Sequence, residues 1–252
     1  MPTFMTRSAL TVALVMLALQ PTHAGERPRD FIDVKTLIPD LVVEMRYATA
    51  YNFVGRPIPG YKAARCLLTR EAANALKEVA DELRQRGFAL KVYDCYRPQT
   101  AVDAFAAWGR NLADQKMKAE FYPDVDKRAL FRDGFIAHRS GHSRGSTLDL
   151  TIVPLSAPLK PFDPGTSEIR ACDSPAGART PDGSADMGTG FDCFSLLSHT
   201  ASAGISAEQK ANRKLLHSVM SRHTFLNNRN EWWHYTLAGE PYPGSFFDFP
   251  VE

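Results

Sequence analysis

The chain is short of the features that would assign it quickly. Only four of its 252 residues are cysteine and no two stand as a C-x-x-C pair, which argues against a cysteine-ligated zinc. Charge of one sign is not in excess. The formal net charge is +2 and the basic residues are scattered, so there is no basic stripe to meet a nucleic acid. No internal repeat is present, and no composition shift splits the chain. No apolar run reaches the roughly 20 residues that span a membrane, and outside the first residues none comes near it.

The exception lies at the start. Met1 to Arg7 form a positive segment, Ser8 to Leu19 an apolar one, and Thr22-His23-Ala24 ends in small residues. This is the pattern of a cleaved export signal covering residues 1–24. No cysteine follows the apolar run, which disfavours a lipoprotein. Residues 25–252 then suit one domain, and a hydrophobic content of 44% supplies its core. In an exported chain the even cysteine count suggests disulfides. Three pairings are open; Cys66–Cys95 and Cys172–Cys193 are favoured because each closes a local loop.

Periodicity places the elements. Phe31 to Val43 reads as extended segments with a turn at Pro39-Asp40, and Arg46 to Tyr61 as a surface loop. Thr69 to Arg86 reads as a helix capped by Thr69, with Leu76, Val79, Ala80 and Leu83 as its apolar stripe and Gly87 as its stop. Ala89 to Tyr96 reads as a strand with Leu90, Val92 and Asp94 on one face. Pro98 opens a helix that runs to about Leu112. Gly145 to Val153 reads as a strand with Thr147, Asp149 and Thr151 on one face. Pro154 to Gly190, rich in Pro, Gly, Ser and Asp, reads as a long loop or insertion. Ser206 to His223 is a helix with a Ser206/Gln209 capping box. Trp232 to Leu237 is a further strand, with Trp232, His234 and Thr236 on a common face. Helices and strands do not alternate regularly, which favours α+β with a central antiparallel sheet and flanking helices.

Four residues carry the chemistry. Asp149 sits in the apolar stretch Leu148-Asp149-Leu150, where an unpaired charge is costly. His142 lies in a Ser/Gly-rich approach just before that strand, and His234 in a hydrophobic strand beside two tryptophans. Two imidazoles and a carboxylate make three ligands for one catalytic zinc, with the fourth position left for water. His199, His217 and His223, which stand alone, read as ordinary polar residues. Glu231 is placed to act as a base on water. Three residues apart on an ideal strand, Glu231 and His234 would point to opposite faces, so the backbone should bend at Glu231. Arg97, in Asp94-Cys95-Tyr96-Arg97-Pro98 at a strand end, offers a fixed cation for the oxyanion of amide hydrolysis.

These segments resemble the D-alanyl-D-alanine dipeptidases, zinc enzymes of the Hedgehog/D,D-peptidase fold. The pattern S-x-H-x-x-G-x-x-x-D stands at Ser140 to Asp149, and E-x-W-H at Glu231 to His234. The likeness extends to Arg46-Tyr47-Ala48-Thr49, Asn52-Phe53, Asp94 to Gln99, Met187-Gly188 with Phe191-Asp192, and Pro241-Tyr242-Pro243 with Phe247-Asp248-Phe249-Pro250. It implies a single Hedgehog/D,D-peptidase-like domain over residues 25–252. It implies zinc on His142, Asp149 and His234, Glu231 as base, and Arg97 as transition-state stabiliser. Asp192 matches a position near the substrate ammonium, and Ser140, Tyr47 and Tyr61 match positions near the small substrate pocket. The partner expected is a small dipeptide, with no nucleic acid and no membrane once the leader is removed.

Relative to the family's cytoplasmic members, the export signal and the longer segment from Pro154 to Asp186 are departures. Cys172 lies in the extra stretch and Cys193 follows Asp192, so a disulfide there would tie the insertion beside the substrate-binding acid. The implied activity is hydrolysis of D-Ala-D-Ala to two D-alanines in the periplasm, in cell-wall turnover or scavenging. The alternatives are a zinc D,D-carboxypeptidase or cell-wall endopeptidase acting on longer peptides, and a zinc-binding module without activity.

Overall fold

The computed structural model describes residues 25–156 and 170–252. The proposed leader therefore lies outside the described residues, as does part of the 154–190 segment.

In chain order the strands and α-helices are β1 (Phe31–Asp33), β2 (Val42–Val43), β3 (Leu67–Thr69), α1 (Arg70–Gln85), β4 (Phe88–Asp94), α2 (Gln99–Arg110), α3 (Lys118–Phe121), β5 (Thr147–Pro154), α4 (Ala207–Arg222), β6 (Phe225–Asn227) and β7 (His234–Leu237). β1 and β3 form a small antiparallel sheet, and the main sheet runs β2-β4-β5-β7-β6. Four of its strands are antiparallel neighbours, as expected. The edge strand β2 departs from that pattern and runs parallel to β4, pairing Val42 with Lys91 and Val43 with Val92. A parallel neighbour needs a long crossover, and the stretch holding β3 and α1 supplies it.

Both helix ends read from the sequence are built as expected. Thr69 Oγ1 accepts from the Ala72 amide at 3.4 Å, and α1 buries Ala72, Ala73, Leu76, Val79, Ala80 and Leu83. Ser206 and Gln209 form the reciprocal capping box of α4. Leu216, Val219 and Met220 of that helix are buried, and so is Arg213. The Arg213 guanidinium is spent on the carbonyls of Met187, His199 and Leu197 at 2.6–2.8 Å, which explains a charge inside.

β4 departs from simple alternation. Its register with β5 slips between Val92 and Asp94, so that Asp94 pairs with Asp149. Without the slip Asp94 would share the face of Leu90 and Val92. The extra residue turns it to the Asp149 side, as a β-bulge does.

Arg46 to Tyr61 is not a surface loop. Tyr47, Asn52, Phe53, Val54, Ile58 and Tyr61 are all buried. Burying irregular backbone requires partners for its polar groups, and Asn52 supplies them. Its Nδ2 donates to the carbonyls of Thr49 and Arg56 at 2.8 Å, and its Oδ1 accepts from the amides of Val54 and Gly55. Aromatic rings fill the remainder, with Phe53 against Phe105, Trp108 and Phe194.

Two covalent links fasten the ends. Cys66 pairs with Cys95 and Cys172 with Cys193, the pairings favoured on loop length. The C-terminal tail caps α2, because Asp248 accepts from the Thr100 amide at 2.8 Å and its hydroxyl at 2.7 Å. Tyr96 stacks on Phe249 at 4.0 Å beside that cap.

The 170–190 segment docks through charge. Asp182 lies 3.6 Å from Arg46 and 3.7 Å from Lys91 and accepts from the Tyr93 hydroxyl. Burial would raise its carboxyl, but Lys91 and Arg46 outweigh that and hold it at about 2, below the ordinary 3.8. A depressed carboxyl adds stability above its unfolded value, and the gain is lost as pH falls through about 2. A shift of this size corresponds to about 2 kcal/mol. Denaturant titrations of the parent and Asp182→Asn at pH 5 and pH 2.5 should therefore show the gap between them narrowing with acid; a gap independent of pH would refute the pairing. Asn52→Ala, which strands several buried backbone groups, should cost about 3 kcal/mol in the same measurement at neutral pH.

Candidate active site

Three neighbouring strands bring their polar residues to one face. Asp94 of β4 stands opposite Asp149 of β5, which stands opposite His234 of β7. Beside them Thr147 and Thr236 share a hydroxyl bond of 2.8 Å. His142 arrives from the tight turn Gly141–Arg144, capped by the Ser140 hydroxyl, which accepts from the His142 amide at 3.3 Å. The turn closes at Gly145 with φ +84°, where a Cβ would lie 2.2 Å from the Phe31 ring. Only glycine meets both demands.

His142 is wholly buried, and its Nδ1 lies 2.7 Å from the Cys95 carbonyl. A carbonyl only accepts, so the proton is on Nδ1 and Nε2 presents its lone pair. That Nε2 is 3.3 Å from Asp149 Oδ1 and 3.4 Å from His234 Nδ1. His234 Nδ1 is 3.1 Å from the same Asp149 oxygen. The three ligand atoms lie within 4.8 Å of one another. Asp149 Oδ1 is buried and accepts no hydrogen bond from any described residue. Two ring nitrogens and an orphaned carboxylate oxygen facing one point fit a divalent cation, with the Cys95 carbonyl orienting the first histidine.

The bend anticipated at Glu231 is present and longer than expected. The Glu231 amide donates to Asn228 O at 3.0 Å and the His234 amide to Glu231 O at 3.3 Å, so the strand begins only at His234. Trp232 therefore does not share the β7 face; its indole N–H goes to Thr189 Oγ1 at 2.8 Å. Glu231 Oε2 ends 3.3 Å from His234 Nδ1. Asn228, which the sequence reading missed, donates to that oxygen at 3.0 Å, and Asn227 holds the Glu231 and His234 carbonyls. The only prior signal was an amide side chain three residues before Glu231.

Arg97 faces the same group. Its Nε donates to Asp94 Oδ2 at 2.9 Å, and its Nη2 lies 3.5 Å from Asp149 Oδ2. Asp94 in turn accepts from the Tyr61 hydroxyl at 2.6 Å. Tyr61 thus stands behind Arg97 and does not line the cavity. Asp192 accepts from the Tyr47 hydroxyl at 2.7 Å. Ser140, Tyr47, Arg97, Asp149, Asp192, Glu231 and His234 all line one cavity of about 190 Å³.

Acidic groups dominate this space. Burial pushes Asp192 well above the usual carboxylate range, reinforced by the Asp149 charge and opposed by Tyr47 and Arg97. Burial likewise raises Glu231, with His234 opposing and Asp149 reinforcing. Burial acts to raise Asp149 too, but His142 and His234 outweigh it and hold that carboxyl far below the usual range. Three buried acids, Asp94, Asp149 and Asp192, and the half-buried Glu231 thus gather around Arg97. The excess negative charge suits a dication and a cationic ligand group.

A mixed α+β domain that gathers two imidazoles and a carboxylate, with a second carboxylate at hand, has the construction of a metal-dependent peptidase. Comparison with known proteins narrows the class. Residues 27–168 and 179–252 match the family described as D-ala-D-ala dipeptidase. The chain is 36% identical over 222 residues to a D-alanyl-D-alanine dipeptidase of Streptomyces coelicolor, covering 88% of this chain and 98% of that protein. It is 35% identical to one of Enterococcus faecium, over 83% of this chain and 92% of that protein. To one of Escherichia coli it is 30% identical, over 82% and 84%. The chain belongs to the D-Ala-D-Ala dipeptidase family. Residues 169–178, which carry Cys172, fall between the two matched stretches.

Proposed function

We propose that this chain is a zinc-dependent dipeptidase that hydrolyses D-Ala-D-Ala to two D-alanines. The observation that carries the reading is the meeting of His142, Asp149 and His234, with Glu231 beside them, in a cavity of about 190 Å³. That size suits a dipeptide better than a peptidoglycan strand.

His142, Asp149 and His234 would hold one zinc ion, which when bound supplies a Lewis acid that polarises the peptide carbonyl and acidifies water. Glu231 removes a proton from the attacking water and passes it to the leaving amine as the C–N bond breaks. Asn228 holds Glu231 in line for both transfers. Arg97, locked by Asp94, stabilises the negative charge that develops on the carbonyl oxygen. Tyr61 acts one step further back, as a positioning residue on Asp94. Asp192, oriented by Tyr47, receives the substrate ammonium, and Ser140 stands near the other end of the dipeptide.

Two disulfides and no free cysteine among the described residues suit an oxidising compartment. No described helix is long and apolar enough to cross a membrane. The proposed leader of residues 1–24 and the disulfides support export to the periplasm and a role in turnover or scavenging of cell-wall dipeptide.

Glu231→Gln should keep one zinc per chain, measured by metal analysis after dialysis, while kcat falls about 10²- to 10⁴-fold. Unchanged turnover would remove Glu231 as the base. Zinc-replete protein should cleave D-Ala-D-Ala and spare a muropeptide ending in the same dipeptide. Equal cleavage of the muropeptide would reverse the assignment toward a carboxypeptidase.

A further inference from the structure

A dipeptide with free ends carries an ammonium and a carboxylate, and the cavity answers the two unequally. Its acids are several, but most of its positive charge is already engaged. Arg97 is bound to Asp94 at 2.9 Å and lies 3.5 Å from Asp149. His234 lies 3.1 Å from Asp149. Arg139 lines the same cavity and differs from both: its guanidinium makes no hydrogen bond or ion pair with any described residue.

The backbone on either side of Arg139 is nonetheless held. Gln99 Nε2 donates to the His138 carbonyl at 3.1 Å, and the His138 ring stacks on Phe131 at 5.0 Å. Ser140 caps the turn that delivers His142. The Arg139 guanidinium lies 4.9 Å from the Phe246 ring centre, a contact with the π face that leaves its N–H donors unspent. Arg144, 5.9 Å from the same ring, is instead tied to Glu240 at 2.7 Å. Arg144 is therefore neutralised, whereas Arg139 is steadied with its fork available.

We propose that Arg139 is a specificity-determining residue that binds the free C-terminal carboxylate of the substrate. The inference rests on the dipeptidase reading above and adds the group that reads one end of the dipeptide. A guanidinium fork matches a carboxylate in a two-point, charge-assisted contact. Asp192 and Arg139 enter the cavity from separate segments of the chain, one suited to each charged end. A peptide amidated or extended at its C-terminus lacks the carboxylate that Arg139 receives.

The test is steady-state kinetics on D-Ala-D-Ala and on D-alanyl-D-alaninamide, for the zinc-replete parent, Arg139→Ala and Arg139→Lys. The parent favours the free acid. In Arg139→Ala the KM for D-Ala-D-Ala rises roughly 10- to 100-fold, and the acid-to-amide ratio of kcat/KM collapses toward unity. Arg139→Lys, a point charge without the fork, retains part of the ratio. The amide reports on folding, since a misfolded variant would lose both substrates. An Arg139→Ala protein with the parental ratio overturns the assignment and leaves the dipeptidase reading intact. A parent that cleaves neither compound overturns that reading, and this inference with it.

Discussion

The structure is organised around one buried carboxylate. Asp149 sits in the middle strand of the main sheet, between leucines that pack into the core, and is 2% exposed. A charge in that position is stable only if opposite charge or donors surround it. The fold meets this by converging on it. The bulge in β4 turns Asp94 and its bound Arg97 toward it, the Gly141–Arg144 turn brings His142, and the register of β7 sets His234 opposite. One oxygen of Asp149 still accepts no hydrogen bond from the described residues. The same arrangement that makes the carboxylate tolerable leaves a gap shaped for a cation, so stability and the capacity for chemistry share an origin.

Features set by local physics could be read from the chain. α1 and α4 follow from a 3.6-residue stripe and side-chain caps, and β5 from strict alternation around Asp149. The bend at Glu231 followed from the parity of a strand, since two residues three apart cannot share its face. Features set by distant partners were not readable. The bulge that reorients Asp94 depends on its pairing with β5, and the parallel edge β2 depends on where the crossover lands. Arg46 to Tyr61 has the composition of a surface loop. It is buried because one asparagine satisfies its backbone and several rings from other segments close over it. Composition reports what a segment contains and is silent about what covers it.

The arginine nearest Asp149 is held as carefully as the acids. Arg97 is fixed by Asp94, and Asp94 by Tyr61, so the guanidinium is held in place beside Asp149. Such preorganisation matters because donors that are already oriented need not reorganise when charge develops. The rings of Tyr47 and Phe105 flank the guanidinium at 5.1 and 5.2 Å and restrict it further. The field that Arg97 presents is weakened by Asp94, which is the cost of holding it still.

Both disulfides end beside residues of this site, and their placement bears on how the backbone there is kept. Cys95 lies between Asp94 and Arg97, and its carbonyl sets the His142 tautomer, so the link to Cys66 fastens the peptide that orients a ligand. Cys193 follows Asp192, whose φ of +59° is unusual for any residue but glycine. A side chain held in that region must be secured from outside. Tyr47 secures its carboxylate, and Cys193 anchors the next residue to Cys172, within the stretch of 169–178 that the family match leaves out. That stretch thus bears on the cavity wall itself. The Gly190 amide reinforces the clamp by donating to the Cys172 carbonyl at 2.7 Å, and beyond Asp192 the Phe194 amide donates to Phe121 O at 2.8 Å. A segment that merely decorated the surface would need none of these ties, whereas an Asp192 backbone held in a left-handed conformation requires them on both sides of it.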